Sequence, residues 1–443
     1  MPGSLTAIRL VAQEAASLLT RLERVKPYSL NMPMVPAAAL PVRAQAAIEQ
    51  HMAGERRRLR NMVRDFLEAL RHEGASANPA KFQRRFAMLR LRFNAVLAQF
   101  DIFGSVLTQR SEHGTGVWVS GLDALAEDAL SIAAPYAKLP PVICYLDKSM
   151  GAAIRRARTR LPGGDENPVG IIRIPRERMI GSGIASSLVH ETGHQGADLL
   201  GLVKSLRTML IDVQNARPQA GAWRLWERWI SEIVADAWAI ALLGITATQG
   251  LLAVVSLPRA FVFRIAPDDP HPFPWFRVKL SCAIGNALYP NPQWLRFARA
   301  WEELYPLENL DSGRRAVIGA LEATMPEFVE RMLYHRPEKL EGKRVFEIFP
   351  LHQRTPERLR ARFEEAQRDV GVLGRLPPTL AFAVLGQARA ENLTTPRQEG
   401  AWLAALLTDW AVRSSLDTSV ICATTRATFT GPEMIHSRRL YAE

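Results

Sequence analysis

The sequence predicts a mainly α-helical chain with a small sheet, an α+β arrangement in which helices far outnumber strands. Three observations carry this expectation: long stretches repeat apolar residues at spacings of three and four, two short β-branched runs interrupt them, and Pro and Gly cluster where the periodicity stops. The 443 residues are 48% hydrophobic and 23% charged, an ordinary globular composition at a length that favours two or three packed units over one core. The expected regions are a helical one over 1–125, a central core over 126–336, and a second helical one over 337–443.

Taken in order, residues 5–24 suit a short amphipathic helix, and Pro27, Pro33, Pro36 and Pro41 then make 27–41 a linker or surface strap. Met62, Val63, Phe66, Leu67 and Leu70, then Phe86, Leu89, Leu91, Phe93, Val96, Leu97 and Phe100, mark two long helices, from Val42 to about Arg71 and from Pro79 to about Gln109. The break at 72–76 between them makes a helical hairpin. Ser120 to Asp123 reads as a helix start before Ala124–Ala133. Two strands follow, at 141–146 and 169–175; the second ends just before the helix discussed next, where an edge strand could pair with an extended peptide, or equally be a hairpin strand with no ligand contact. Trp238–Leu257 is apolar enough to resemble a membrane span, but Gly244 and Gly250 favour two buried helices, so a membrane location is not expected. Helical patterns return at 293–304 and 313–333, and prolines punctuate 337–443.

Three well-separated cysteines, Cys144, Cys282 and Cys422, suggest neither a disulfide framework nor a cysteine metal cluster. The first residues lack the basic start and apolar run of a signal peptide, and a cytoplasmic protein is expected. The net charge of +12 is best read as solvated arginine-rich helix faces: Arg56-Arg57-Arg58-Leu59-Arg60 lies among helix formers, without the aromatic interleaving of a nucleic-acid platform.

Chemistry concentrates at His190-Glu191-Thr192-Gly193-His194. Four residues apart on a helix starting at Ser182 or Gly183, His190 and His194 leave one face and can grip one ion, for which Zn²⁺ suits imidazole nitrogen. Glu191 projects beside them as a general base for a metal-held water. The metzincin continuation fails, because Ala197 and Leu200 stand where its glycine and third histidine belong. A third ligand is expected from Glu232: Glu232 and Asp236 share one face of an otherwise apolar helix, and buried carboxylates there need a counter-charge. Asp236 would then hold the outer N–H of His190. Asp198 is a weaker alternative third ligand, and Cys144 reads as a small buried hydrophobe rather than a silencing ligand. None of His51, His72, His113, His335, His352 and His436 has a second ligand at usable spacing.

The set His190, Glu191, His194, Glu232 and Asp236 resembles the gluzincin metallopeptidases, the thermolysin-like group. Asp269-Pro270-His271-Pro272-Phe273-Pro274-Trp275-Phe276-Arg277 resembles the His-Pro-x-x-x-x-Arg element of the membrane gluzincins that process prenylated proteins and of their heat-shock relatives. The resemblance covers about residues 140–280 and implies a zincin-like core and a peptide or protein substrate; it does not extend to the spanning helices of those relatives. Four prolines between 267 and 274 stiffen the loop, so His271, and with it Arg277, could be held beside the ion to stabilise negative charge growing on a peptide carbonyl. Alternatively His271 caps a turn and Arg277 makes a structural ion pair. The competing function is a helical scaffold of a larger assembly, its flanking helices binding a protein partner and its zinc site structural or silent.

Overall fold

The computed structural model describes residues 2–148, 151–176, 181–217, 221–266, 268–369 and 371–428. These are mostly helical, with one three-stranded sheet. They divide into two compact units, one formed by residues 2–120, 157–169 and 412–428, the other by 121–156 and 170–411. Residues 337–411 therefore pack in the same unit as the central segment and form no separate body, and the boundary expected after 125 falls inside a helix, α5 below.

In the first unit, α1 (Pro2–Arg24) packs on both α3 (Val42–Glu73) and α4 (Pro79–Leu107), with the short α2 (Tyr28–Asn31) between. Ile48, Met52, Leu59, Val63, Phe66 and Leu70 make one buried stripe on α3, answered by Phe82, Phe86, Leu89, Phe93 and Val96 on α4. The hairpin reverses at the expected break: Gly74 at φ 50° ends α3, and Asn78 caps α4 by accepting from the Lys81 amide at 3.0 Å, ahead of Pro79. The 27–41 strap is packed down, with Tyr28 donating to the Phe100 carbonyl and Ala38 and Leu40 buried.

Residues 157–169 form a tight excursion turning at Gly163 and Gly164, both with left-handed φ. Its Asp165 accepts from Arg58 (2.6 Å), Arg92 (2.5 Å) and Gln99 (3.2 Å), while Arg92 also reaches Glu55 at 3.0 Å. Gln99 in turn contacts His51 at 2.8 Å, which gives that histidine a structural role.

The second unit takes up the chain within α5 (His113–Ser131), which leads into β1 (Val142–Asp147), β2 (Ala153–Arg155) and β3 (Gly170–Pro175). The helix starts well before Ser120, the expected beginning. The order is β1-β3-β2, with β1 parallel and β2 antiparallel to β3. The expected edge strand is thus the central one: the three residues of β2, too few to signal a strand, occupy the side of β3 that the sequence left open. Any added strand would meet β1 or β2 instead.

The helical layer comprises α6 (Gly183–Leu199), α7 (Leu202–Asn215), α8 (Gly221–Leu243), α9 (Ile245–Val255), α10 (Arg259–Val262), α11 (Pro274–Leu288), α12 (Gln293–Leu304), α13 (Ser312–Tyr334), α14 (Pro356–Arg368), α15 (Gly371–Arg375), α16 (Pro378–Ala390) and the start of α17 (Pro396–Thr428). The apolar stretch at 238–257 is two helices, as its glycines suggest, parted at Gly244 with φ 58°. Among the described residues no helix is long and apolar enough to cross a membrane. Buried α8 and α16 form the heart of this unit, and α6 lies against α8 and α9.

Burial raises the Asp165 pKa, but the hydrogen bonds from Gln99, Arg58 and Arg92 outweigh it and leave the group below its ordinary value. A lowered carboxylate pKa stabilises the fold above the ordinary value and loses that contribution as pH falls through the folded value. Asp165→Asn is therefore expected to cost about 1–3 kcal/mol in urea unfolding at pH 7, with the gap to the parent closing as pH drops below about 4.

Candidate metal centre

Four elements build the site. Helix α6 carries His190, Glu191 and His194; α8 carries Glu232 and Asp236; the loop ahead of α11 carries Asp269 and His271, and the first turn of α11 carries Arg277. Helix α6 can come close to α8 because its facing side has no side chains at two positions. A Cβ at Gly193 would sit 2.9 Å from Trp238 Cβ, and one at Gly196 only 2.5 Å from Trp238 Cη2. The indole cannot yield easily, being 1% exposed, hydrogen-bonded to the Ala129 carbonyl at 3.1 Å and packed edge-on against Phe349.

This closeness brings Glu232 to both histidines. Its Oε2 is 3.3 Å from His190 Nε2 and 3.4 Å from His194 Nε2, and one ligand atom from each of the three residues lies within 4.8 Å of the others. His271 Nε2 approaches the same oxygen to 3.1 Å. Oε2 is thus buried and crowded by three ring nitrogens. Ligands at about 2.0–2.1 Å from a tetrahedral ion stand about 3.3–3.4 Å apart, the spacing seen here from Oε2 to His190 and His194. The donor set and its spacing therefore fit a metal ion, and no other such group occurs among the described residues.

Charge follows the same plan. Burial disfavours the imidazolium form of His190, but Asp236 and Glu232 outweigh it and push its pKa up to about 9, so the pocket favours positive charge at this ring. Burial would raise Glu232, yet the imidazoles of His190, His194 and His271 hold it well below the usual carboxylate range. Asp236 is likewise held low against burial, by Arg277 and His190. His190 Nδ1 lies 2.8 Å from Asp236 Oδ1, placing Nε2 toward Glu232, as expected of a carboxylate that fixes a ligand imidazole. Arg277 grips Asp236 with two bonds, Nε to Oδ2 at 2.7 Å and Nη2 to Oδ1 at 2.8 Å. Arg277 thus makes the ion pair named as the alternative, behind His190, with two of its five N–H donors on Asp236.

His271 is far more open than the other imidazoles, 45% exposed. Its Nδ1 lies 2.8 Å from Asp269 Oδ1, which also accepts from the His271 amide at 3.0 Å, so the ring is steered with Nε2 toward Glu232. Contact with Glu232 raises the His271 pKa against the effect of burial. Phe273 anchors the loop against Trp229 and Phe276. Pro267, first of the four prolines counted in this loop, lies outside the described residues. Glu191 is 8% exposed, and its charge acts on Arg277.

The alternatives fall away from the site. Asp198 is exposed and pairs with Arg156 at 3.1 Å, while Cys144 is a buried β1 residue outside the ligand group. His335 bonds Ser205 at 2.7 Å; His72, His113 and His352 are exposed; His436 lies outside the described residues. The glycine contact with Trp238 went unread in the sequence, although Gly193 and Gly196, three apart, share a helix face.

Gly196→Ala is expected to cost about 1–3 kcal/mol by overpacking against Trp238 and, by moving α8 away from α6, to weaken metal retention; urea unfolding and chelator competition measure the two effects. Compared with protein-family models, with curated proteins and with solved structures, the chain finds no match in any of the three, so the meaning of the centre rests on its own geometry.

Proposed function

We propose that the chain is a zinc-dependent metallopeptidase of the gluzincin type that hydrolyses peptide bonds in a cytoplasmic setting, with a zincin-like core in its larger unit. The observation that carries this reading is the convergence of His190, His194 and Glu232, their ligand atoms within 4.8 Å of one another, with Asp236 behind His190. Two imidazoles and one carboxylate suit Zn²⁺ and leave a fourth position for water.

Bound there, zinc would supply an acidified water and polarise the scissile carbonyl. Glu191 would take the proton from that water on its carboxylate and return it to the leaving amine nitrogen. Asp236 would hold the Nδ1 proton of His190 and leave Nε2 to serve as a ligand, and Arg277 keeps Asp236 ionised. His271, oriented by Asp269, would present Nε2–H to the charge growing on the carbonyl oxygen. An extended substrate could add to the outer side of β2, which packs beside α6.

One observation favours the scaffold reading: His271 Nε2 stands 3.1 Å from Glu232 Oε2, near enough that a small shift would let a third imidazole close the coordination shell and exclude water. The two readings part on His271→Ala. Catalysis requires retained zinc and hydrolysis of a peptide library slowed about 10²–10³-fold, whereas a closed structural site loses zinc affinity.

Metal analysis after dialysis should find about one zinc per chain in the parent, and none in His190→Ala or Glu232→Ala. Glu191→Gln should keep the zinc and lose about 10²–10⁴-fold in rate; undiminished cleavage by that variant would refute the mechanism.

A further inference from the structure

The first turn of α6 has an unsatisfied positive end, as every helix start does, and the residue positioned to cap it does not. Ser182 makes no side-chain capping bond. Its own amide donates instead to Glu399 Oε1 at 2.9 Å, across 217 residues of chain. Glu399 lies in the first turn of α17 and is 1% exposed, and its Oε2 receives Arg389 Nη1 of α16 at 3.1 Å. The backbone is shaped to admit this pair: Gly181 has φ 76°, and a Cβ there would sit 3.0 Å from Arg389 Nη1 and 3.3 Å from Glu399 Oε2. A buried carboxylate with one oxygen on a helix amide and the other on a guanidinium is fully employed, which is the condition for its being buried at all.

We propose that Glu399 is a positioning residue for the candidate metal helix, a cap supplied from a distant part of the chain that fixes the first turn of α6 and, through it, the placement of His190 two turns on. The consequence for metal binding rests on the metallopeptidase reading; the capping does not. Docking of the α17 start thereby becomes a requirement for a competent ligand set, because an α6 that frays at its start holds His190 in register only part of the time and lowers apparent metal affinity by that fraction.

Amide hydrogen exchange on the full chain tests this, comparing the parent with Glu399→Ala and Glu399→Gln, alongside zinc affinity by chelator competition. Amides of residues 182–186 are expected to exchange about 2- to 30-fold faster in the alanine variant, the range for a lost helix cap, and less so in the glutamine variant, whose amide oxygen still accepts. Exchange in α8 around Glu232 should be unchanged, and zinc affinity should fall in the alanine variant and recover in part with glutamine. Unaltered exchange at 182–186, or acceleration shared equally by α6, α8 and β3, overturns the proposal. If the alanine variant fails to fold, the glutamine variant decides by the same criteria. Local acceleration in a protein whose parent binds no zinc leaves the cap standing and removes the metallopeptidase reading instead.

Discussion

A carboxylate oxygen buried among imidazoles is the constraint on which the larger unit depends. Glu232 Oε2 is buried with three imidazole nitrogens within 3.4 Å, and positive charge close by offsets the cost of taking a carboxylate out of water. The surrounding choices follow from that cost. His190 and His194 bring their ring nitrogens to Glu232, Asp236 returns negative charge behind His190, and Arg277 balances Asp236 in turn. Charges thus alternate outward from the centre, each buried group held by the next, so that removing any one strands its neighbour.

Packing sets how closely those charges meet. A carboxylate on α8 can reach imidazoles on α6 only if the helices approach more tightly than two ordinary side-chain surfaces allow, and Gly193 and Gly196 provide the room opposite Trp238. The same residues that would be poor helix formers in isolation are thus required by the chemistry. Their propensity cost, about 1 kcal/mol each relative to alanine, is offset by the burial of Trp238 and its neighbours along α8.

Much of the site was legible because its logic is local. Two histidines four apart declare a shared face, and a Glu–Asp pair in an apolar helix declares a buried charge. The α3–α4 hairpin was legible for a similar reason, its stripe repeating over many turns. Legibility fails where the deciding partner is distant or the element is short. Three residues of β2 carry no alternation, yet they turn β3 from an edge into a centre. In α11, buried residues such as Trp275, Phe276, Val278, Leu280 and Ile284 lie around much of the helix and leave no clear stripe to read. The spacing of His271 and Arg277 pointed to the site, but not to Asp236 as the group that would occupy the guanidinium. No local signal marks Glu399, since its meaning resides in a backbone amide of another helix.

The excursion at 157–169 bears on how the gene can be divided. The larger unit is interrupted in sequence, leaving after β2 and resuming at β3, while the inserted residues belong to the other body and are tied there by Asp165 to Arg58, Arg92 and Gln99. A fragment spanning 121–411 would thus carry a polar finger stripped of its three anchors, and one ending at 120 would lose the carboxylate that its arginines enclose. Neither unit can therefore be cut out as a continuous stretch without breaking an ion cluster.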